Sequence, residues 1–272
     1  MNRNRKIGAL VSGALGWLWL IIALLPIYYI VITSLRSQSS FYSENPLLPT
    51  AHPTFAAYVE VFKNDFLMYF LNTAIVTVAV ILIVCVLISY YIVRKRSKAS
   101  QRVFSLILLG LGIPLQAVIV PVYYLVVKMG LYDTLAGIVL PSIAFAIPVT
   151  VMIIVNFMRD IPEELFDSMA VDGASQMKIL RTLVVPLTRP AITTAGVYQA
   201  LQVWNGFLFP LILTQSGSVR VLTLSLWTYQ GQYTSNIPAI LAAVTLSAVP
   251  VLAAYIVGRK QMVAGLTAGF GK

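Results

Sequence analysis

Six long apolar runs, separated by short polar segments, limit what this 272-residue chain can fold into. A helix needs about 20 apolar residues to cross a bilayer core. The runs cover about 10–33, 69–93, 104–127, 135–158, 191–213 and 237–258. Composition agrees: only 10% of residues are charged, against about 25% in a soluble globule. The expected fold is an all-α integral membrane protein with six transmembrane helices, arranged as one domain over 1–272.

The N-terminal MNRNRK followed by apolar residues looks at first like a secretory signal. The uncharged run from Ile7 to Leu35 is, however, far longer than the 7–15 residues of a signal core. It also lacks a clear small-residue cleavage site. It reads as a retained first span.

Lys and Arg set the orientation, because they concentrate on the cytoplasmic side of membrane proteins. With the N-terminus inside, 15 of the 19 basic residues fall on inner segments. Only Arg36, Lys63, Lys128 and Arg220 fall outside. Both termini are therefore expected in the cytoplasm, with the chain multi-pass in the membrane and in contact with lipid. The net charge of +10 sits at the ends of the runs, so it orients helices and does not point to nucleic acid. The outer loop 36–64, with Pro46, Pro49 and Pro53, is expected to form turns plus a short helix over Ala56–Phe62.

One inner segment breaks the apolar pattern. Between Arg159 and Pro190 lie five of the nine acidic residues: Asp160, Glu163, Glu164, Asp167 and Asp172. Pro162 suits a first helical turn. Glu163 and Glu164 then sit where the helix dipole favours negative charge. Leu165, Phe166, Met169 and Ala170 give a short apolar face. Gly173 stops the helix as a residue of positive φ. Ser175 can cap a second helix, which carries Lys178 and Arg181 and is expected to end at Pro186. A first helix of about ten residues is too short to be stable alone, so it must rest on its own protein or on a partner. Interfacial helices favour Lys and Arg, and the inner leaflet is anionic. An acidic helix therefore points to a protein partner. Residues 159–190 are read as a cytoplasmic docking loop.

Other features are more open. Gly110, Gly112, Pro114 and Pro121 interrupt the third run, and Pro141 and Pro148 the fourth. They are either ordinary kinks or gating hinges. Gln199, Gln202 and Asn205 put uncharged polar groups on roughly one face of the fifth run. They either line a pathway or hydrogen-bond between helices. Cys85 lies in an apolar run and His52 stands alone in a polar loop, so no metal site is expected. There is no GxxxxGK[ST] phosphate loop and no HExxH, CxxC or GxSxG. No run carries an acidic residue for a proton relay. The chain reads as a pathway whose energy source lies elsewhere, and as no enzyme itself. A stand-alone secondary carrier also fits six spans, but leaves the acidic loop without a purpose.

At this point the residues resemble a family. Asp167-Ser-Met-Ala-Val-Asp-Gly173, followed by Leu183-Val-Val-Pro186, is similar to the E-A-A-x3-G-x9-I-x-L-P loop of ABC importer permeases. The departures are Asp167 for Glu, Ser168 and Met169 for Ala, and Leu183 and Val185 for Ile and Leu. Gly112–Gln116, Pro121–Leu125, Leu131–Thr134, Leu140-Pro141, Trp204-Asn205, Phe207-Leu208 and Gly265–Gly269 resemble the carbohydrate-uptake subclass, closest to the maltose-type second permease. Gly206 stands where that subclass usually has an acidic residue or Ser.

The resemblance implies a type I importer permease fold in a prokaryotic cell membrane and a sugar as cargo. It implies a second permease subunit, an ABC ATPase dimer and an extracytoplasmic sugar-binding protein as partners. ATP and Mg are used by the ATPase, and this chain binds no cofactor. Glu163, Glu164, Asp167, Ser168, Met169, Ala170, Asp172 and Gly173 become the expected coupling helix, and Gln199, Gln202 and Asn205 the candidate path. The tail Met262–Lys272 is expected at the ATPase interface.

Overall fold

A computed structural model describes residues 3–78, 81–231 and 234–268. Fourteen α-helices follow in order among them. The first five are α1 (Arg3–Ser34), α2 (Gln38–Ser43), α3 (Ala56–Lys63), α4 (Phe66–Val78) and α5 (Ile81–Lys95). Next come α6 (Lys98–Leu109), α7 (Leu115–Lys128), α8 (Leu135–Arg159), α9 (Glu163–Val171) and α10 (Gln176–Ile179). The last are α11 (Val185–Trp204), α12 (Leu208–Leu213), α13 (Leu222–Ser225) and α14 (Ile237–Ala268). The only strand-like pairing among the described residues is an isolated bridge between Gln230 and Ser235. The chain divides into two compact units: Met1–Leu67 with Ser225–Val249, and Met68–Leu224 with Pro250–Lys272.

In the first unit the polar loop is tied back onto the end of α1. Arg36 is 1% exposed, and its guanidinium donates to the Asn45 carbonyl at 2.6 Å and to the Leu48 carbonyl. The Tyr28 hydroxyl donates to Leu47 O at 3.0 Å, and Thr54 N–H to Leu35 O at 2.8 Å. A buried cation bonded to carbonyls in this way holds loop backbone that has no regular partner. The expected helix at Ala56–Phe62 is present as α3, and the loop contains α2 in addition. Gln38 donates to Ser235 O at 2.7 Å and Asn236 to the Glu60 carboxylate at 2.8 Å.

Four segments are long and apolar enough to cross a membrane among the described residues: Leu10–Ser34, Phe66–Lys95, Leu135–Arg159 and Ile237–Ile256. The expected third span, 104–127, is not one straight helix. Lys98–Gly112 and Leu115–Lys128 meet at 106°. Pro114 has no N–H and disfavours helical geometry in the residue before it. Ile113 is accordingly extended, at φ −90° and ψ 110°, and Pro114 caps α7. The backbone also comes close to α8 there: a Cβ on Gly110 would lie 2.7 Å from Pro148 Cγ. Pro121, Pro141 and Pro148 lie inside α7 and α8 without breaking them.

The expected fifth span, 191–213, differs too. The helix starts earlier, at Val185, and stops at Trp204. A turn closed by Gly206 N–H on Val203 O precedes α12. The sixth helix continues past the expected end at 258 to Ala268. The tail's last four residues lie outside the described ones.

The second unit holds the main core. Val151, Ile154, Val155 and Met158 of α8 are fully buried in one cluster with Cys85, Ile92, Val93, Ile179 and Val184. A smaller core joins Val76, Ile138, Phe209 and Leu213. The turn between α7 and α8 is pinned to the segment after α12 by Asp133. Its carboxylate accepts from Gln215 N–H at 2.8 Å, Ser216 N–H at 2.9 Å and the Ser216 hydroxyl. These bonds, the Gln215 amide foremost, hold its pKa below the usual carboxylate value. A lowered folded-state pKa stabilises the native state above the unfolded carboxylate pKa, and that contribution is lost as pH falls through the folded pKa. In detergent, the wild-type melting temperature should therefore fall on acidification below the usual carboxylate range. Asp133→Ala should start lower at neutral pH and lose less over the same titration. Parallel melting curves for the two proteins would remove this role.

Candidate coupling loop and membrane cavity

The acidic segment folds much as its residues require. Pro162 is the N-cap of α9, and Glu163 and Glu164 fill its first turn. Asp172 is the C-cap and Gly173 follows at φ +74°. Gly173 N–H bonds Ala170 O at 3.1 Å and Ala174 N–H bonds Met169 O at 3.0 Å. This is the paired closure of a helix by a left-handed residue. Ser175 caps α10, accepting from Lys178 N–H.

Pro186, expected to end the second helix, does not. A π turn at Leu180–Val184 leads from α10 straight into α11, and Pro186 lies in the first turn of α11. The π turn just before it accommodates the N–H that the proline lacks. The acidic segment is thus continuous with α11 through the π turn.

The apolar face of α9 is divided. Phe166 is 4% exposed and belongs to the main core, with Met169 packed against it. Leu165 and Ala170 face outward instead, and Val171 is 87% exposed. The Arg94 guanidinium lies 4.7 Å from the Phe166 ring centroid, within cation–π range. Arg96 pairs with Glu163. Both of those side chains are about half exposed or more, so the pair contributes at most about 1 kcal/mol. Tyr90 donates to the Gln176 side chain at 2.7 Å. Glu164, Asp167 and Asp172 are exposed and form no ion pair among the described residues. The Ser168 hydroxyl donates to Leu165 O. Outward, α9 therefore offers three carboxylates beside Leu165 and Val171. Arg94 and Arg96 were legible only as orienting charges, and nothing in the spacing singled out Phe166 over Leu165.

The candidate path residues separate. A cavity of about 480 Å³ in the second unit is lined by parts of α4, α7, α8, α11 and α12. Gln199 and Gln202 both line it, together with Thr73, Gln116, Ser142 and Tyr198. Gln199 is 7% exposed and donates to Ala146 O of α8 at 3.2 Å. It thus both lines the cavity and bonds between helices. Gln202 is exposed toward the cavity. Asn205 is not in the lining; its amide bonds Leu201 O at 2.8 Å, at the end of its own helix. Reasoning from spacing missed Thr73 and Ser142, which come from helices without a polar pattern, and Tyr198, which adjoins Gln199 on α11. Asn72, near a span end, bonds Ser218 O and Arg220 O at 2.9 and 2.8 Å.

The chain is similar to several transport proteins. An ABC transporter permease protein from Caldicellulosiruptor sp. (strain Rt8B.4) is 35% identical over 92% of both chains. A diacetylchitobiose uptake system permease protein of Streptomyces coelicolor is 28% identical, over 98% of this chain and 90% of its own. A melibiose/raffinose/stachyose import permease protein of Bacillus subtilis is 29% identical over 90% of each. A crystal structure of a bacterial ABC transporter involved in the import of the acidic polysaccharide alginate has a chain of the same fold. It superposes with a TM-score of 0.84 at 24% identity, covering 96% of this chain and 98% of that one. The family described as binding-protein-dependent transport system inner membrane component matches residues 86–261. With that match across most of its length, this multi-pass membrane protein belongs to the binding-protein-dependent transport system inner membrane component family, the ABC transporter permeases.

Proposed function

We propose that this chain is a pathway-forming permease subunit of an ATP-driven sugar importer. One observation carries the coupling part. An exposed acidic helix, ended by a positive-φ glycine, is held on the membrane core by a single buried aromatic, Phe166. That surface suits a cytoplasmic ATPase that moves the helix as it closes. Glu163, Glu164, Asp167, Ser168, Met169, Ala170, Asp172 and Gly173 form the contact. A second permease completes the pathway, and an extracytoplasmic binding protein delivers the sugar. ATP and Mg belong to the ATPase, and this chain performs no catalysis. The names of the relatives, two of them for oligosaccharide uptake, support a sugar as cargo.

The topology that fits is one permease domain over 1–272 with six crossings and both termini cytoplasmic. Two of the crossings are broken, one at Ile113–Pro114 and one after Trp204. The tail from Met262 then lies on the ATPase side. The cavity at Gln199 and Gln202 forms part of the path.

Co-purification with the ATPase tests the coupling surface. Asp167→Lys should lower recovery of the ATPase, or ATP-driven uptake, about tenfold while membrane insertion stays intact. Tenfold corresponds to about 1.4 kcal/mol, which reversal of one interfacial charge can supply. Uptake of sugar by vesicles holding this chain alone, without ATP, would overturn the proposal. The path is tested separately: Gln199→Leu with Gln202→Leu should reduce uptake while ATPase association is retained, and unchanged uptake removes the cavity from the path.

A further inference from the structure

Family membership leaves open whether the cargo is neutral or anionic, since the transporter of similar fold imports an acidic polysaccharide. The lining of the cavity bears on this choice. None of its lining side chains carries a charge. Its polar groups are three amides, a phenol and two hydroxyls: Gln116, Gln199, Gln202, Tyr198, Thr73 and Ser142. Several are already committed. Thr73 donates to Tyr69 O and accepts from Leu222 N–H. Ser142 donates to Ile138 O. The Gln199 amide nitrogen donates to Ala146 O. The Gln116 and Gln202 amides and the Tyr198 hydroxyl have no partner among the described residues. They offer both donors and acceptors, as a sugar hydroxyl requires.

Aromatic rings complete the wall. Trp204 lines the cavity with its ring edge-to-face with Phe70, at 5.4 Å between centroids. Phe145 and Phe209 line it as an edge-to-face pair at 5.6 Å. Apolar walls with a few neutral polar groups suit a ligand with hydroxyls and C–H faces. A carboxylate has no such match. Moving it from water to a wall without Lys or Arg leaves the ion unpaired, which disfavours its binding.

We infer that this cavity selects uncharged saccharides and excludes uronates, a conclusion that rests on the path reading above. Selection at the membrane then adds to whatever selection the binding protein makes. Gln202 sets the rule, because it is the exposed, unpaired amide of the wall on the same helix as Trp204.

Trp204 itself reports the test. The intact transporter, with its partner permease and ATPase, is placed in nanodiscs without binding protein, both nucleotide-free and trapped with ATP and vanadate. Its emission is titrated with maltotriose, raffinose and diacetylchitobiose, and with trigalacturonate as the charged counterpart. In at least one state a neutral saccharide should shift the emission, and the shift should vanish in Trp204→Phe. Trigalacturonate should need at least tenfold more ligand for an equal shift. Gln202→Lys should reverse that order. A uronate that binds as well as the neutral sugars overturns the inference while leaving the path reading intact. So does an unchanged order in Gln202→Lys. No Trp204-dependent shift from any saccharide in either state overturns it as well. The path reading itself fails only if the double leucine variant transports normally.

Discussion

Truncating Phe166 to alanine is expected to abolish most ATP-driven transport while leaving the protein in the membrane. Phe166 is the one residue of α9 that is buried in the core. Removing a buried phenylalanine side chain costs about 3–5 kcal/mol. The nine residues of α9 cannot hold a helix without support. The remaining ties are weak: Met169 is half-buried, and the Arg96–Glu163 pair is exposed and worth about 1 kcal/mol at most. Without the ring, α9 should leave its seat and transmit little force. The core around α5 and α8 has many other buried residues, so insertion should survive. Phe166→Leu should be milder. It keeps most of the apolar volume but loses the Arg94 contact, about 0.5–2 kcal/mol. The measurement pairs ATP-driven uptake with protease sensitivity of residues 160–175. Uptake at the wild-type rate in Phe166→Ala would refute the anchoring role. Uptake lost equally in Phe166→Leu would point to a specific ring contact in place of burial.

This anchor marks the boundary of what residue order could reveal. Pro162, Gly173 and Ser175 were legible because each acts through its own backbone: a fixed φ, a positive φ, a short capping side chain. Those effects are local and survive any tertiary context. Leu165 and Phe166 are neighbours with equal claims to an apolar face, and the choice between them depends on what lies opposite, Arg94 and the α8 core. Proline was ambiguous for a similar reason. Pro114 breaks a helix because Ile113 goes extended before it, whereas Pro141, Pro148 and Pro186 sit in helices whose neighbours or π turn accommodate the missing donor. Composition alone cannot separate these cases: of the six expected runs, the third is bent at Pro114 and the fifth stops as a helix at Trp204. The candidate path shows a further limit. At 3.6 residues per turn, Gln202 lies about 60° from Gln199 around the helix but Asn205 about 120°. The helix ends there as well, so Asn205 turns to its own Leu201 carbonyl.

Replacing Gly173 separates backbone from side-chain effects in the same loop. Its φ is +74°, and a Cβ there would meet nothing within 4 Å. Crowding within this chain therefore cannot explain a loss of function at this position; that leaves conformation or contact with a partner. Entering the left-handed region costs an ordinary L-residue about 1–2 kcal/mol, and a β-branched one is a poorer fit still. Asparagine enters it readily. Gly173→Val should therefore weaken the two closing bonds, to Ala170 O and Met169 O, and let the end of α9 fray. The direction in which the acidic face points would then vary, and Ser175 would cap α10 less well. Uptake should fall about tenfold, matching about 1.4 kcal/mol, whereas Gly173→Asn should stay within about threefold of wild type. Co-purification with the ATPase should follow the same order. If Gly173→Asn and Gly173→Val lose uptake equally, the glycine is needed for the absence of a side chain at the ATPase surface, and the positive φ is incidental. If neither loses uptake, the turn does not set the position of α9, and the direction of the acidic face must be held by Phe166 and Arg94 alone.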